Sequence, residues 1–410
     1  MIKYNFLLYL ISPLLIIKLI FNAIYRKNGL GFISSRLGLF NYKIDSDSIW
    51  IHASSIGETK LAIKIYEKLQ LKYDNCQFIM TTTTSSSAKL INNLKGNVKH
   101  LYLPIDFYLS TLRFIKSINP KICIILETEI WPNLVNICKK NNIPTVIINA
   151  RLSKRTLNTN KIVKNIYKTC LPLLTKILCK SDREKKNYIN LGAHPSNTKT
   201  IGNLKFCETG NNNITNNLID RKYVLAASTH PDEERQIIKE WLKVHEKKIL
   251  LVVVPRHPER LGDILADLPL SMIKIAIRSK NEPIKKDTQI YIADTYGELN
   301  SLMQHCEFVF MGGSLVDHGG QNFLEAASHG KTIIVGSYMY NFIDETEEFL
   351  KTNSMIMVKN SETLKHVFER LIKSKQRREL FGSNAKKLLE SRKNIINDYC
   401  KAIQELIIES

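Results

Sequence analysis

The sequence predicts an α/β protein of two tandem Rossmann-like domains behind an N-terminal apolar helix. Three observations carry that expectation. From Ser48 onward, short apolar runs alternate with helical patterns, the signature of repeated βα units on a parallel sheet. Near mid-chain the alternation stops at Glu-Thr-Gly-Asn-Asn-Asn-Ile-Thr-Asn-Asn (208–217), a polar stretch without periodicity that reads as a linker. A chain of 410 residues also exceeds one ordinary core and suits two domains of about 200 residues each.

Residues 6–17 (Phe-Leu-Leu-Tyr-Leu-Ile-Ser-Pro-Leu-Leu-Ile-Ile) carry no charge, and past Lys18 the apolar character continues to Ala23-Ile24. Residues 1–25 are therefore expected to form a membrane-anchor helix. Pro13 and Lys18 draw it from a full span toward the interface. The basic residues Arg26, Lys27 and Arg36 follow it, and basic flanks stay cytoplasmic, which puts the body of the protein on the cytoplasmic face of an inner membrane. The first domain is expected over 26–206, with strands at 49–53, 77–80, 100–103, 122–126, 145–149 and 176–179. A linker over 207–221 leads to the second domain, 222–410. Its strands are expected at 223–227, 249–254, 289–293, 308–311 and 332–335, and residues 362–408 read as helical. Two such domains facing a cleft describe the architecture called GT-B.

Composition narrows the function. Apolar residues make up 44% and charged residues 24%, which argues for a folded chain. A net charge of +21 favours an anionic partner: nucleic acid, phospholipid headgroups or a phosphorylated substrate. Nucleic acid is disfavoured, because aromatics are not interleaved with Lys and Arg in any recognisable module. A dehydrogenase is disfavoured as well, because no G-x-G-x-x-G follows the first strand. The eight cysteines form no C-x-x-C pair and read as reduced thiols, and no clustered metal ligands are present. Neither a metal nor a cofactor is expected.

In doubly wound domains the chemistry collects just past the carboxyl ends of the strands. The first expected strand runs into His52-Ala53-Ser54-Ser55-Ile56-Gly57-Glu58, where Glu58 opens a helix, a position the helix dipole alone would favour. The hydroxyl run 81–87 suits a helix cap or an acceptor site. Strand 122–126 ends in Glu127-Thr128-Glu129-Ile130-Trp131-Pro132-Asn133, and strand 145–149 in Ala150-Arg151-Leu152-Ser153. Gly202-Asn203-Leu204-Lys205-Phe206 adds a second cation suited to a carboxylate or phosphate. In the second half, 227–234 has the flavour of a capping box. Pro255-Arg256-His257-Pro258-Glu259-Arg260 forms a rigid basic loop. Asp294-Thr295-Tyr296-Gly297-Glu298 follows the next strand. The glycine-rich Met311-Gly312-Gly313-Ser314 offers backbone amides for phosphate and leads to Gly319-Gly320-Gln321-Asn322-Phe323-Leu324-Glu325, where Glu325 suits ribose hydroxyls.

As an ordered set these stretches resemble the Kdo transferases, which attach 3-deoxy-D-manno-oct-2-ulosonic acid (Kdo) from CMP-Kdo to lipid A precursor. The Glu-Thr-Glu-Ile-Trp-Pro-Asn and Pro-Arg-His-Pro-Glu-Arg blocks carry most of the specificity. The resemblance implies that Glu58 is the proton acceptor and that Glu127 and Lys205 support the transition state, with Glu129 as the alternative carboxylate. It implies a CMP site of Pro255, Arg256, Tyr296, Gly297, Glu298, Asn322, Phe323, Leu324 and Glu325. It further implies a metal-independent, inverting transfer to lipid IVA on an anionic inner-membrane surface. Cys207 stands where the family's pattern continues with Asp, and Tyr296 and Phe323 replace residues more often Met and Pro. The alternative is another two-domain sugar-nucleotide enzyme, a UDP-sugar glycosyltransferase or epimerase.

Overall fold

The computed structural model describes residues 2–25, 29–39, 43–44, 46–207, 216–246, 248–268 and 273–408. The chain divides into two compact units: Met1–Cys207 with Asn394–Ser410, and Glu208–Lys393.

Among the described residues, the first unit holds β1 (Ser48–His52), β2 (Gln77–Thr82), β3 (Val98–Tyr102), β4 (Pro120–Leu126), β5 (Thr145–Ala150), β6 (Lys176–Cys179) and β7 (Thr198–Thr200), ordered β3-β2-β1-β4-β5-β6-β7. All neighbouring strands are parallel. Helices cover both faces of such a sheet, so its central strands are apolar without alternation. Ile49, Trp50 and Ile51 of β1 and the run Ile122–Leu126 of β4 are all fully buried. The strand order reverses between β1 and β4, which opens a crevice past their carboxyl ends.

The second unit repeats the plan with β8 (Tyr223–Thr229), β9 (Leu250–Pro255), β10 (Ile275–Ile277), β11 (Ile290–Ile292), β12 (Val309–Met311), β13 (Ile333–Val335) and β14 (Met355–Met357), ordered β10-β11-β9-β8-β12-β13-β14. Its reversal falls between β8 and β12. The expected strands stand within a residue or two of these bounds. The sequence reading missed β7, β10 and β14, three-residue edge strands too short to show a period.

Two expectations change. The residues 362–408 are helical, but as three helices, and the last, Ile395–Ile408, belongs to the first unit rather than closing the second. Its buried face (Ile395, Tyr399, Ile403, Leu406) covers that unit, where the Tyr399 hydroxyl donates to Gly202 O at 2.8 Å and Leu178 O at 3.4 Å. Of the expected linker 207–221, residues 208–215 lie outside the described residues, as do Arg26 and Lys27.

The single N-terminal helix is two, Ile2–Leu10 and Ser12–Tyr25, bent by 55° at their junction. Pro13 lacks the N–H that would bond the Tyr9 carbonyl, and the Ser12 hydroxyl donates to that carbonyl instead, at 2.7 Å. Among the described residues no single helix is long and apolar enough to cross a membrane, although this bent pair passes that test together. Leu19 and Ala23 pack with Phe32 of the Gly29–Arg36 helix, while Ile2, Phe6, Leu10, Leu14, Ile17 and Ile24 stay exposed.

Candidate active site

The first cluster sits where the strand order of the first unit reverses. Past β1, Ser55 caps the helix Ile56–Leu69 in a reciprocal capping box with Glu58. Glu58 N donates to Ser55 Oγ at 3.2 Å, and Glu58 Oε2 accepts from Ser54 N at 2.7 Å and Ser55 N at 3.4 Å. Both returning backbone bonds fall on one carboxylate oxygen, and among the described residues no backbone amide reaches Oε1. Burial pushes the Glu58 carboxyl above the ordinary range. Glu127 and then Glu129 push the same way, against the Ser54 amide.

Past β4 the backbone turns at Glu127 with φ 59°, a left-handed conformation uncommon for a residue with a Cβ. Glu127 is buried, its carboxylate held by Arg151 Nε at 2.6 Å, and the Tyr188 hydroxyl donates to the carbonyls of Glu127 (3.2 Å) and Arg151 (3.3 Å). Arg151, read from the sequence as a cation for a ligand, is thus committed to a carboxylate of the protein. Burial would raise the Glu129 carboxyl, but His52, with Nε2 3.9 Å away, and Ser54 outweigh it and hold the group below its usual range. His52 is oriented by Thr81, whose Oγ1 lies 2.9 Å from Nδ1. Burial lowers the Arg36 guanidinium to about 10 against the pull of Glu129, and Arg36 also donates to the Leu103 carbonyl. Three carboxylates therefore share one field, Glu129 beside Arg36 and His52 and Glu127 paired with Arg151.

Lys205 occupies the turn Leu204–Cys207 that follows β7. That turn is tied to the end of β5, where Asn149 Oδ1 accepts from Leu204 N at 3.0 Å. The Cys207 carbonyl accepts from Lys64 Nζ, so position 207 contributes its backbone here. Within the hydroxyl run 81–87, Thr84 caps the helix Ser85–Asn92 and Thr81 serves His52.

The second cluster lies at the reversal of the other unit. Pro255 ends β9 buried, and Arg256 N donates to Thr229 O at 2.9 Å, while the exposed Arg256 guanidinium makes no hydrogen bond or ion pair among the described residues. Tyr296 is exposed, its hydroxyl donating to Glu259 Oε2 at 3.0 Å, and Gly297 stands at φ 89° with open space where a Cβ would point. Glu298 is not free: Arg278 Nη2 holds its Oε1 at 2.7 Å, and that pairing keeps its carboxyl below the ordinary range. Asn322 Oδ1 accepts from Leu324 N at 3.1 Å, and Glu325 beside it is half-buried with no partner for its carboxylate among the described residues. Phe323 and Leu324 are core residues, Phe323 packing edge-on to Phe349 at 4.9 Å, so neither side chain is available to a ligand.

Two readings of this region are overturned. The amides after β12 do not wait for phosphate: Glu233 fills them, accepting from Gly313 N (2.6 Å), Ser314 N (3.0 Å) and Leu315 N (2.9 Å). Residues 227–234 form no capping box, because Asp232 stands at the N-cap with φ 69° and no side-chain cap bond. The reading also missed a cationic group around His230. Its ring stacks on His318 at 4.2 Å, and burial first, then His318, His257, Arg256 and Arg260, lower it to about 4. Arg260 is itself paired with the buried Glu234 at 3.1 Å. Among the described residues no three His, Cys, Asp or Glu side chains are grouped to hold a metal.

Comparison with known proteins identifies the family. The sequence profile described as 3-Deoxy-D-manno-octulosonic-acid transferase (kdotransferase) matches residues 32–208. A 3-deoxy-D-manno-octulosonic acid transferase of Haemophilus influenzae is 33% identical over 82% of this chain and 81% of its own. One from Rickettsia bellii is 29% identical over 98% of both chains. A solved glycosyltransferase of Rickettsia africae, 14% identical, covers 90% of this chain and all of its own with a TM-score of 0.64, a likeness of fold. Two Rossmann-like units and an identity of this extent to enzymes of one name lead to one conclusion: the chain belongs to the Kdo transferase family of glycosyltransferases.

Proposed function

We propose that the protein transfers Kdo from CMP-Kdo to lipid A precursor (lipid IVA) at the cytoplasmic face of an inner membrane, without a metal, Glu58 taking the acceptor proton. The observation that carries this reading is Glu58 itself. It is a carboxyl raised by burial and by Glu127, at the carboxyl end of β1, with both helix-start amides on one of its oxygens. In the step proposed, the acceptor hydroxyl oxygen bonds to the anomeric carbon as the bond to the CMP phosphate breaks. The electron pair leaves on CMP, the proton passes to Glu58, and a single displacement inverts the anomeric centre. Glu127 and Lys205 would steady the developing charge, with Glu129 as the alternative carboxylate.

In the second unit, Arg256 and Glu325 are the charged side chains of the proposed CMP site that have no partner among the described residues. Arg256 suits the phosphate and Glu325 the ribose hydroxyls. Tyr296, Gly297, Pro255 and Asn322 would contribute surface and backbone. Glu298, Phe323 and Leu324 would act only by shaping the loops, since their side chains are engaged or buried. The exposed apolar row of the N-terminal helix pair supports attachment in the membrane interface.

Mass spectrometry of lipid A precursor incubated with CMP-Kdo and purified protein tests the reading. The expected product carries added Kdo. Stabilisation by UDP rather than CMP, with no such product, would favour the UDP-sugar alternative. Arg256→Ala and Glu325→Ala should each weaken CMP roughly ten- to a hundredfold, the loss of a charge-assisted contact of about 1.5–3 kcal/mol. Unchanged affinity in both would remove these loops from the donor site.

A further inference from the structure

The helix Pro132–Lys140 begins directly after the Glu127–Trp131 loop and does not cap itself. Trp131 at the N-cap makes no side-chain bond, and Pro132 brings no N–H. Its first amides go to a residue of another loop. Asp106, 2% exposed, accepts from Asn133 N at 2.8 Å and Leu134 N at 2.9 Å. A carboxylate at a helix start is favoured by the dipole and satisfies donors the helix leaves open. Two neighbours on the N-terminal helix Ile2–Leu10 complete the arrangement. The Tyr4 hydroxyl donates to Asp106 Oδ2 at 3.0 Å, and Asn5 Oδ1 accepts from Asn133 Nδ2 at 2.6 Å, which also donates to the Asp106 carbonyl at 2.5 Å.

The consequence lies one turn away. The Glu127–Trp131 loop is held at one end by β4, where Glu127 already sits in a left-handed conformation, and at the other by the start of this helix. A backbone held so is sustained only by what surrounds it. Burial pushes Asp106 up to about 7, so its ionised form leans on the donors around it, the Tyr4 hydroxyl among them.

We infer that Tyr4 and Asn5 are positioning residues for transfer: through Asp106 and Asn133 they set the loop that carries Glu127 and Glu129, making the docked N-terminal helix a working part of the acceptor-side site as well as an anchor. The inference rests on the proposed role of those carboxylates. The residues themselves do not reach the reacting atoms.

The test uses the full-length protein with Tyr4→Phe, Asn5→Ala and the double variant. Neither change removes exposed apolar surface, so sedimentation with anionic phospholipid vesicles should match the parent. With CMP-Kdo and detergent-dispersed lipid A precursor, kcat should fall about ten- to a hundredfold while the donor KM stays within about twofold. The double variant should lie near the worse single one, as expected of one connected network. Independently of any activity, amide hydrogen exchange over residues 127–134 should quicken at least tenfold, with β5 unchanged. A plain clip between helix and body predicts faster exchange over residues 2–10 only and normal kcat, and that result overturns the inference. If the parent itself transfers nothing from CMP-Kdo, the donor assignment fails, and the exchange of 127–134 still decides whether Tyr4 and Asn5 hold the loop.

Discussion

Glu58 shows how one side chain serves fold and chemistry through different atoms. Its backbone N–H and Oε2 close the capping box, a task Gln performs as well as Glu. Glu58→Gln therefore keeps the helix start and removes only the charge. Because burial and Glu127 raise this carboxyl in the folded state, the folded protein binds its proton more tightly than the unfolded chain does. Its contribution to stability is present at low pH and lost as pH rises through the raised value. At neutral pH, Glu58→Gln should leave the melting temperature unchanged or higher while turnover falls about 10²–10⁴-fold. Single-turnover transfer beside a melting curve reads both, and near-normal transfer would move the base to Glu127 or Glu129. The same raised carboxyl places the acid limb of the rate profile above the ordinary carboxylate range. Removing the Glu127 charge with Glu127→Gln should shift that limb to lower pH. An unmoved limb would mean that another group titrates there. The sequence placed Glu58, Glu127 and Glu129 just past strand ends, where the structure has them, because strand ends are readable. It concealed the contacts of Asp106, Arg36 and His318, which join residues far apart in the chain. It also misled at Gly312–Ser314, where a pattern suited to phosphate is filled by Glu233.

At the scale of elements, the N-terminal helix pair combines two kinds of surface. One side is tied to the first unit by Tyr4, Asn5 and the buried Leu8, and another presents Ile2, Phe6 and Leu10 outward. Composition read the apolar row and Pro13 read the weak point, but the polar residues inside the row passed as interruptions rather than as contacts. Removing residues 1–24 should release most of the protein from membranes while leaving CMP affinity intact, since the proposed CMP residues belong to the other unit. What attachment remains should fall with salt, each basic residue near an anionic surface being worth about 1 kcal/mol. Vesicle sedimentation and CMP titration of the truncated chain measure these together. Lost CMP binding would show that the segment supports more of the protein than its own unit.

At the scale of the molecule, the two-sheet plan was legible because central parallel strands are apolar throughout and separated by helical periods. The fate of the last helix was not. Its buried row at 395, 399, 403 and 406 demands a core without naming one, and chain order suggested the second unit, whereas Tyr399 bonds Gly202 and Leu178 in the first. The first unit is therefore discontinuous in sequence, its core completed by the helix Ile395–Ile408. Deleting residues 394–410 would uncover Ile395, Tyr399, Ile403 and Leu406 together with the surface they cover. At about 25 cal/mol per Å² of apolar area, such losses amount to several kcal/mol, a large part of an ordinary domain's stability. The loss should fall on one unit. Calorimetry of the shortened chain should show a transition lowered by ten degrees or more, and a second transition still raised by CMP, since a ligand of one unit stabilises only what binds it. A single unshifted transition, or loss of the CMP response with the shift, would mean that the terminal helix supports the second unit after all.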